Sequence, residues 1–312
     1  MTGLLHRRLV YVTGKGGVGR STVASALGLV AAEAGRRTIV CEVAEQAREA
    51  PHPGVRAPGT EERLADRLWA TTVDPQLALE EWLATQIGSR RLVRPLATSN
   101  AFQYFVAAAP GAKELVTITK AWELAQAERW DARAAGYDLV IVDAAASGHG
   151  LGMLSTPRTF GDIARVGPIA AQSARVEAFL ADPDATGYVA VALPEEMPVN
   201  ETLELEAALA RETGAALDLI VANRVLRAPF TAPERRAVAA ARAPSPDAAA
   251  ALQAALALER RAAGQQRQVA RLRRGAHAPV ITLPYLVRQE TARGRVEALA
   301  SVLAQRLARV RA

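Results

Sequence analysis

An α/β fold, a mostly parallel sheet with helices on both faces, is what the 312-residue sequence predicts, and three observations predict it. Short apolar, β-branched runs alternate with longer stretches of helical spacing. The first run, Leu9 to Thr13, passes through a glycine-rich turn into an Ala-rich helical stretch from Ser21 to Ala34. A later run, Tyr137 to Val142, ends on an acid, Asp143, as a buried strand does at the ligand edge of a parallel sheet.

Taken in order, the strand candidates are Leu9 to Thr13, Thr38 to Glu42, Tyr137 to Val142, Gly187 to Leu193, Leu217 to Ala222 and Val280 to Leu283. Helical patterns fill the gaps. Residues 51 to 63 are rich in Pro and Gly and read as a loop. Leu77 to Trp130 is helical with interruptions near Pro95 and Pro110, and reads as an inserted lobe. Pro233 to Arg274 forms a second helical region, broken at Ala243-Pro244-Ser245-Pro246. The expectation is one domain over residues 1–312, with helical insertions at about 75–130 and 233–275. At the end, Val296, Leu299, Leu303, Leu307 and Val310 make an apolar stripe. Without Trp or Phe anchors it suits docking on the sheet better than lying on a membrane.

Composition narrows the function classes. Half of the residues are hydrophobic, enough for a large core, but no run reaches the length of a membrane span. The N-terminus carries no apolar signal core before the first strand, so a cytoplasmic protein is expected. The single cysteine, Cys41, offers neither a disulfide nor a Cys pair for zinc, and its apolar neighbours make it a core residue. The net charge of +6 is almost all arginine, because the only lysines are Lys15, Lys113 and Lys120. That charge is scattered over helices rather than focused with aromatics, so nucleic acid and membrane are not expected partners.

The most specific segment is Gly14-Lys15-Gly16-Gly17-Val18-Gly19-Arg20-Ser21-Thr22. Between a strand and a helix, such glycines let backbone N–H groups form a nest for phosphate oxygens, and the helix N-terminus adds its positive dipole end. Ser21 would give a hydroxyl to Mg²⁺, and Thr22 one near the phosphate closest to the sugar. In a chain that elsewhere uses arginine for lysine, retention of Lys15 argues that a lysine is required there. Arg20, conversely, follows the same compositional bias.

Asp143 would lie beside the glycine loop and could hold Mg²⁺ through water, while Gly148 would let the next loop respond to a terminal phosphate. The alternative for such an aspartate is capping of the next turn. His149 is either a site residue or a packing histidine. Asn223, after Leu217 to Ala222, is a ligand candidate or a turn former, and Pro284 and Tyr285 follow the last strand, where they could wall a base.

Lys15 to Ser21, with Asp143-Ala-Ala-Ala-Ser-Gly-His149-Gly150, resembles the deviant Walker A ATPases. The similarity is to the branch of the arsenite-pump ATPase and the tail-anchored-protein targeting ATPase, including paired bacterial anion-transporting members. Further similar segments are Ala109-Pro110-Gly111, Leu193-Pro194-Glu195, Asn223-Arg224 and Leu283-Pro284. The resemblance implies a P-loop NTPase fold, ATP or ADP with Mg²⁺ as cofactors, Ser21 and Asp143 at the metal, and Asn223 at the adenine ring. It also implies a dimer in which Lys15 crosses to the partner's phosphates, so that Lys15 and Asp143 are the expected catalytic residues.

Three departures bear on chemistry. Arg20 stands where the family has a lysine that follows the charge moving in the transition state, and a guanidinium is larger, planar and differently directed. Ala44 stands where the family has a water-orienting aspartate; Glu42 and Glu45 flank it out of register. Ala146 and Ser147 replace a Pro-Thr pair. The expectation is an ATP-binding, Mg-dependent switch ATPase, acting as a homodimer or heterodimer, with slow or partner-dependent hydrolysis. One alternative is a non-hydrolysing heterodimer subunit that donates Lys15; another is a partition-type ATPase on DNA or membrane. Arsenite pumping and a zinc-linked dimer are not supported, since Cys41 stands alone. A protein client would need an apolar groove within Leu77 to Trp130, where Trp82, Phe102, Tyr104 and Phe105 are either groove or core.

Overall fold

A computed structural model of the chain describes residues 3–43, 57–88, 93, 95, 110–144, 147–287 and 291–309, without the side chains of 147–149. Eight strands form one sheet: β1 (Leu9–Gly14), β2 (Thr38–Val43), β3 (Glu62–Ala65), β4 (Leu68–Val73), β5 (Leu139–Asp143), β6 (Thr186–Ala192), β7 (Leu219–Val225) and β8 (Val280–Pro284). Their spatial order is β3-β4-β2-β5-β1-β6-β7-β8, and all neighbours are parallel except β3 and β4. The chain therefore reverses direction across the sheet beside β1, and the C-terminal ends of β1 and β5 border the resulting crevice.

Strand parity divides the core in two. Val10, Val12, Val40, Ile141, Val189 and Val191 point to a layer made by α1 (Arg20–Glu33) and α9 (Ala292–Arg309). Leu9, Tyr11, Ile39, Cys41, Val140 and Val142 point the other way, towards α3 (Ala112–Leu124), α4 (Ser147–Ala164), α5 (Pro168–Ala181), α6 (Glu196–Thr213) and α8 (Pro246–Gly275). Residues facing apolar layers on both sides explain why these strands read as continuous hydrophobic runs. Two further helices, α2 (Pro75–Ile87) and α7 (Ala232–Ala240), start on conventional caps: Asp74 accepts from the Gln76 and Leu77 amides, and Thr231 with Glu234 closes a capping box.

All six predicted strands occur, with ends displaced by no more than three residues. Two strands were not anticipated. Residues 62 and 63, read as loop, belong to β3, which turns through Asp66 and Arg67 into β4. Glu62–Ala65 is a half-exposed edge of mixed charge without alternation, so its pairing comes from β4 rather than from its own pattern. The C-terminal stripe does dock: Leu299, Ala300, Leu303 and Leu307 are buried in the α1 layer. Cys41 is fully buried, its thiol pushed up to about 12 by burial. Among the described residues no helix is long and apolar enough to cross a membrane.

Candidate functional site

The site grows out of the turn from β1 into α1. Gly14 has φ 146°, and a Cβ there would lie 2.3 Å from the Val191 carbonyl oxygen, so only glycine lets β1 leave the sheet beside β6. Gly19 sits at the N-cap of α1 with φ 91°, where a Cβ would be 2.5 Å from Nδ2 of Asn223. Between them Val18 is buried and pins the loop, whereas Lys15, Gly16 and Gly17 are exposed. The first turn of α1 has no acidic residue and its N-cap no side-chain bond, which leaves its amides directed at an anion.

Arg20 opens α1, a poor place for a cation in the field of the helix dipole. Two contacts offset this. Its Nη1 donates to the Gly14 carbonyl at 2.8 Å, and its Nε stands 3.9 Å from Oδ1 of Asp143. The guanidinium is folded back against the loop's own root. Lys15, by contrast, reaches outward to pair with Glu201 on α6.

Asp143 ends β5 in register with Val12 of β1, beside the loop as expected from its place in the sequence. It is 3% exposed. Burial raises its pKa, against the Ser21 hydrogen bond and the Arg20 charge, which lower it. Oδ1 is buried and, among the described residues, accepts no hydrogen bond. A buried carboxylate oxygen without a donor, next to a loop hydroxyl, fits a hydrated divalent cation. Glu42 of β2 pairs in register with Asp143 and accepts from the Thr72 hydroxyl at 3.3 Å. Its pKa is pushed up to about 7, first by burial and then by the Asp143 charge, with the Thr72 bond opposing.

On the other side of β1, Asn223 is turned towards the loop. Nδ2 donates to the Val18 carbonyl at 2.9 Å, and Oδ1 accepts from the Arg224 amide at 2.9 Å. It braces the loop, and one N–H and one lone pair remain for a ligand. A bulge between Ala222 and Val225 sets Arg224 in the left-handed region at φ 56°, with its guanidinium at the Gly19 turn. Nothing in the sequence marks that bulge. Pro284 ends β8 opposite Val225, and Tyr285 follows half exposed, its amide donating to the Val225 carbonyl at 2.9 Å. A cleft of about 230 Å³ lies between α1, the β3–β4 hairpin and α9; Ser21, Thr22, Ser25 and Arg293 line it.

The structure thus gathers Gly14 to Thr22, Asp143 and Asn223 at one sheet edge, with Pro284 and Tyr285 two strands beyond β6. Ala44, Glu45, Ala146, Phe102, Tyr104 and Phe105 lie outside the described residues, as does the side chain of His149. Tyr11 is a linking residue that sequence reasoning passed over: from β1 its hydroxyl donates to the Gly150 carbonyl at 2.9 Å, joining the strand that carries the loop to the helix that follows Asp143.

Comparison with known proteins agrees with this geometry. Residues 7–169 match the family model described as anion-transporting ATPase. ATPase BagA of Mycobacterium tuberculosis is 32% identical over 206 residues, covering 63% of this chain and 59% of the relative. A Halobacterium salinarum protein named as an arsenical pump-driving ATPase is 28% identical over 232 residues, 70% of this chain and 36% of the relative. ATPase ASNA1 homolog 1 of Paramecium tetraurelia is 26% identical over 151 residues, 47% and 43% respectively. The chain spans less than two thirds of the length of these relatives. With the loop, Asp143 and the parallel sheet in place, the chain belongs to the anion-transporting ATPase family of P-loop ATPases.

Proposed function

We propose that this chain is an ATP-binding, Mg-dependent switch ATPase that acts as a dimer and whose own hydrolysis is slow or depends on a partner. One observation carries the reading: the Gly14–Thr22 loop stands beside a buried carboxylate, Asp143, one oxygen of which accepts no hydrogen bond among the described residues. The loop amides and the α1 N-terminus bind the phosphates. Ser21 and Asp143 hold the hydrated metal, and Asn223 offers its remaining donor and acceptor to the base. When bound, Mg²⁺ supplies charge neutralisation at the outer phosphates.

Slow hydrolysis follows from what Arg20 does. A loop lysine stabilises the transition state by following the charge as it moves to the bridging oxygen. Arg20 spends a donor on the Gly14 carbonyl and stands near Asp143, so moving it to the outer phosphates would break that bond. Ala44 provides no carboxylate for the attacking water. In the dimer, Lys15 exchanges its pairing with Glu201 for a phosphate of the other subunit. That exposed position also supports the second reading, a nucleotide-binding half that lends Lys15 to a better-equipped paralogue.

Calorimetric titration with ATP and ADP, with and without Mg²⁺, followed by phosphate release on the same sample, tests both readings. Mg-dependent ATP binding with release near background is expected from the isolated chain. Absence of binding to either nucleotide would overturn the proposal. Brisk turnover by the chain alone would remove the partner dependence. Restored turnover in Arg20→Lys combined with Ala44→Asp would show that those two positions limit chemistry.

A further inference from the structure

Glu42 stands at the same sheet edge as Asp143 with no work assigned to it. β2 and β5 are adjacent and parallel, and Glu42 is in register with Asp143. Their orientation follows from parity. Val40 and Ile141 both face the α1 layer, so Glu42 and Asp143, each two residues further along its strand, project to that same face. Neighbouring strands lie about 4.8 Å apart, which puts the two carboxylates side by side beneath the first turn of α1.

This pairing is unfavourable as it stands. Two carboxylates at one strand spacing repel, and burial reduces the water that would screen them. Among the described residues the cation paired with Asp143, Nε of Arg20, is 3.9 Å away, beyond hydrogen-bond range, and Oδ1 of Asp143 accepts no bond although its side chain is 3% exposed. Among the described residues Glu42 accepts one long bond, from Thr72 at 3.3 Å, along its outer flank. A small divalent cation with its water shell satisfies both groups, since Mg²⁺ is held by one or two carboxylates, often through water. Ala44, by its side chain, brings no carboxylate. Glu42 has one methylene more than an aspartate and so reaches further towards the loop.

We infer that Glu42 is the second carboxylate of the divalent-cation site, holding the hydration shell of Mg²⁺ together with Asp143 and Ser21. This rests on the nucleotide-binding reading above and adds to it a residue that acts on the metal rather than on the nucleotide. Glu42 then supplies at the metal some of the negative charge that the chain lacks at position 44.

The test measures ATP affinity of the full chain by calorimetry across a Mg²⁺ titration, for wild type, Glu42→Gln and Asp143→Asn. Glutamine is isosteric and keeps an acceptor for Thr72, so folding is retained; Glu42→Asp, which keeps the charge but withdraws it, is run beside it. In Glu42→Gln the Mg²⁺ concentration giving half of the affinity gain rises about 10- to 100-fold, the usual cost of losing a group that supports a metal. Affinity without Mg²⁺ stays equal or improves, because a negative charge near the phosphates is gone. Glu42→Asp shifts less. Wild-type Mg²⁺ dependence in Glu42→Gln, with a clear loss in Asp143→Asn, would overturn the inference and leave nucleotide binding intact. Equal loss of affinity with and without Mg²⁺ would overturn it as well, since Glu42 would then be shaping the loop. Failure of wild type to bind ATP would overturn both readings together.

Discussion

β5 leads from one buried charge cluster to another, and the two are built on opposite terms. Two residues before its start, the Tyr137 hydroxyl donates to Glu61 at 2.6 Å. From there, Arg129 bridges Glu61 at 2.7 Å and Glu123 at 2.6 Å, and Lys120 bridges Glu123 at 2.8 Å and Glu81 at 2.6 Å. The Trp130 amide also donates to Glu123, at 3.0 Å. Burial alone would raise the pKa of Glu123, yet Arg129 and Lys120 hold it below the ordinary value. At the far end of β5 the balance is reversed. Asp143 and Glu42 both lie above their ordinary values: burial raises Asp143 beyond what Ser21 and Arg20 return, and burial followed by the Asp143 charge raises Glu42 beyond what Thr72 returns. A saturated network serves the fold; an unsaturated one at a sheet edge keeps its binding capacity for a ligand.

The largest effect that separates the two clusters is on stability. Glu123→Ala strands Arg129 and Lys120 without their shared carboxylate, and should destabilise the chain by about 3 kcal/mol in urea unfolding. Nucleotide affinity measured well below the transition should not change. Asp143→Asn should do the reverse. Its carboxamide still accepts from Ser21 and removes a buried charge, so stability should fall by no more than about 1 kcal/mol, or rise. The Mg²⁺-dependent part of ATP binding should disappear. A large stability loss in Asp143→Asn would make the two ends of β5 alike and remove the contrast.

The pH dependence sharpens the same difference. The carboxyl of Glu42 is raised from 4.5 to about 7, so the folded chain holds a proton there that the unfolded chain releases. Its contribution to stability is complete below pH 4.5 and is lost as the pH rises through 7. Because the group is partly exposed, the loss is discounted for solvent screening to about 1 kcal/mol. Glu42→Gln should flatten that interval in unfolding midpoints measured from pH 4.5 to 8, and should gain on wild type at the alkaline end. A parallel pair of profiles would show that burial and the Asp143 charge do not raise the Glu42 carboxyl.

What was legible in the chain depended on local chemistry. The Gly14–Thr22 loop and Asp143 could be read because each joins a specific residue type to the end of an apolar run. The central strands could be read because both faces are buried. β3 and β4 could not: β3 is held by its partner, and Leu68–Val73 takes its place from register with β2 rather than from alternation. The network around Glu123 was equally hidden, since Glu61, Glu81 and Arg129 are far apart in sequence. Glu42 was visible as a residue flanking position 44, but its place beside Asp143 comes from the register of β2 with β5, which no local pattern records. Asn223 was found for its place at the strand end, but its bond to Val18, which fixes the loop, is a contact across 205 positions.

The smallest expected effect concerns the two basic residues of the loop, which repeat the contrast on a shorter scale. Arg20 is turned inward and tied to Gly14, whereas Lys15 is half exposed and held by Glu201 on α6, whose Oε2 is buried without a partner. An exposed pair of this kind contributes less than about 1 kcal/mol, so Glu201→Gln should leave the unfolding midpoint nearly unchanged. Its effect should fall on association. With the carboxylate gone, Lys15 no longer has to leave a like-positioned anion before it meets a phosphate, and sedimentation in ATP and Mg²⁺ should show dimers at several-fold lower protein concentration. Lys15→Ala should abolish that gain and leave nucleotide affinity of the single chain within a few-fold. If Glu201→Gln and wild type assemble alike, Lys15 does not serve a second subunit, and its pairing with α6 is simply part of the surface.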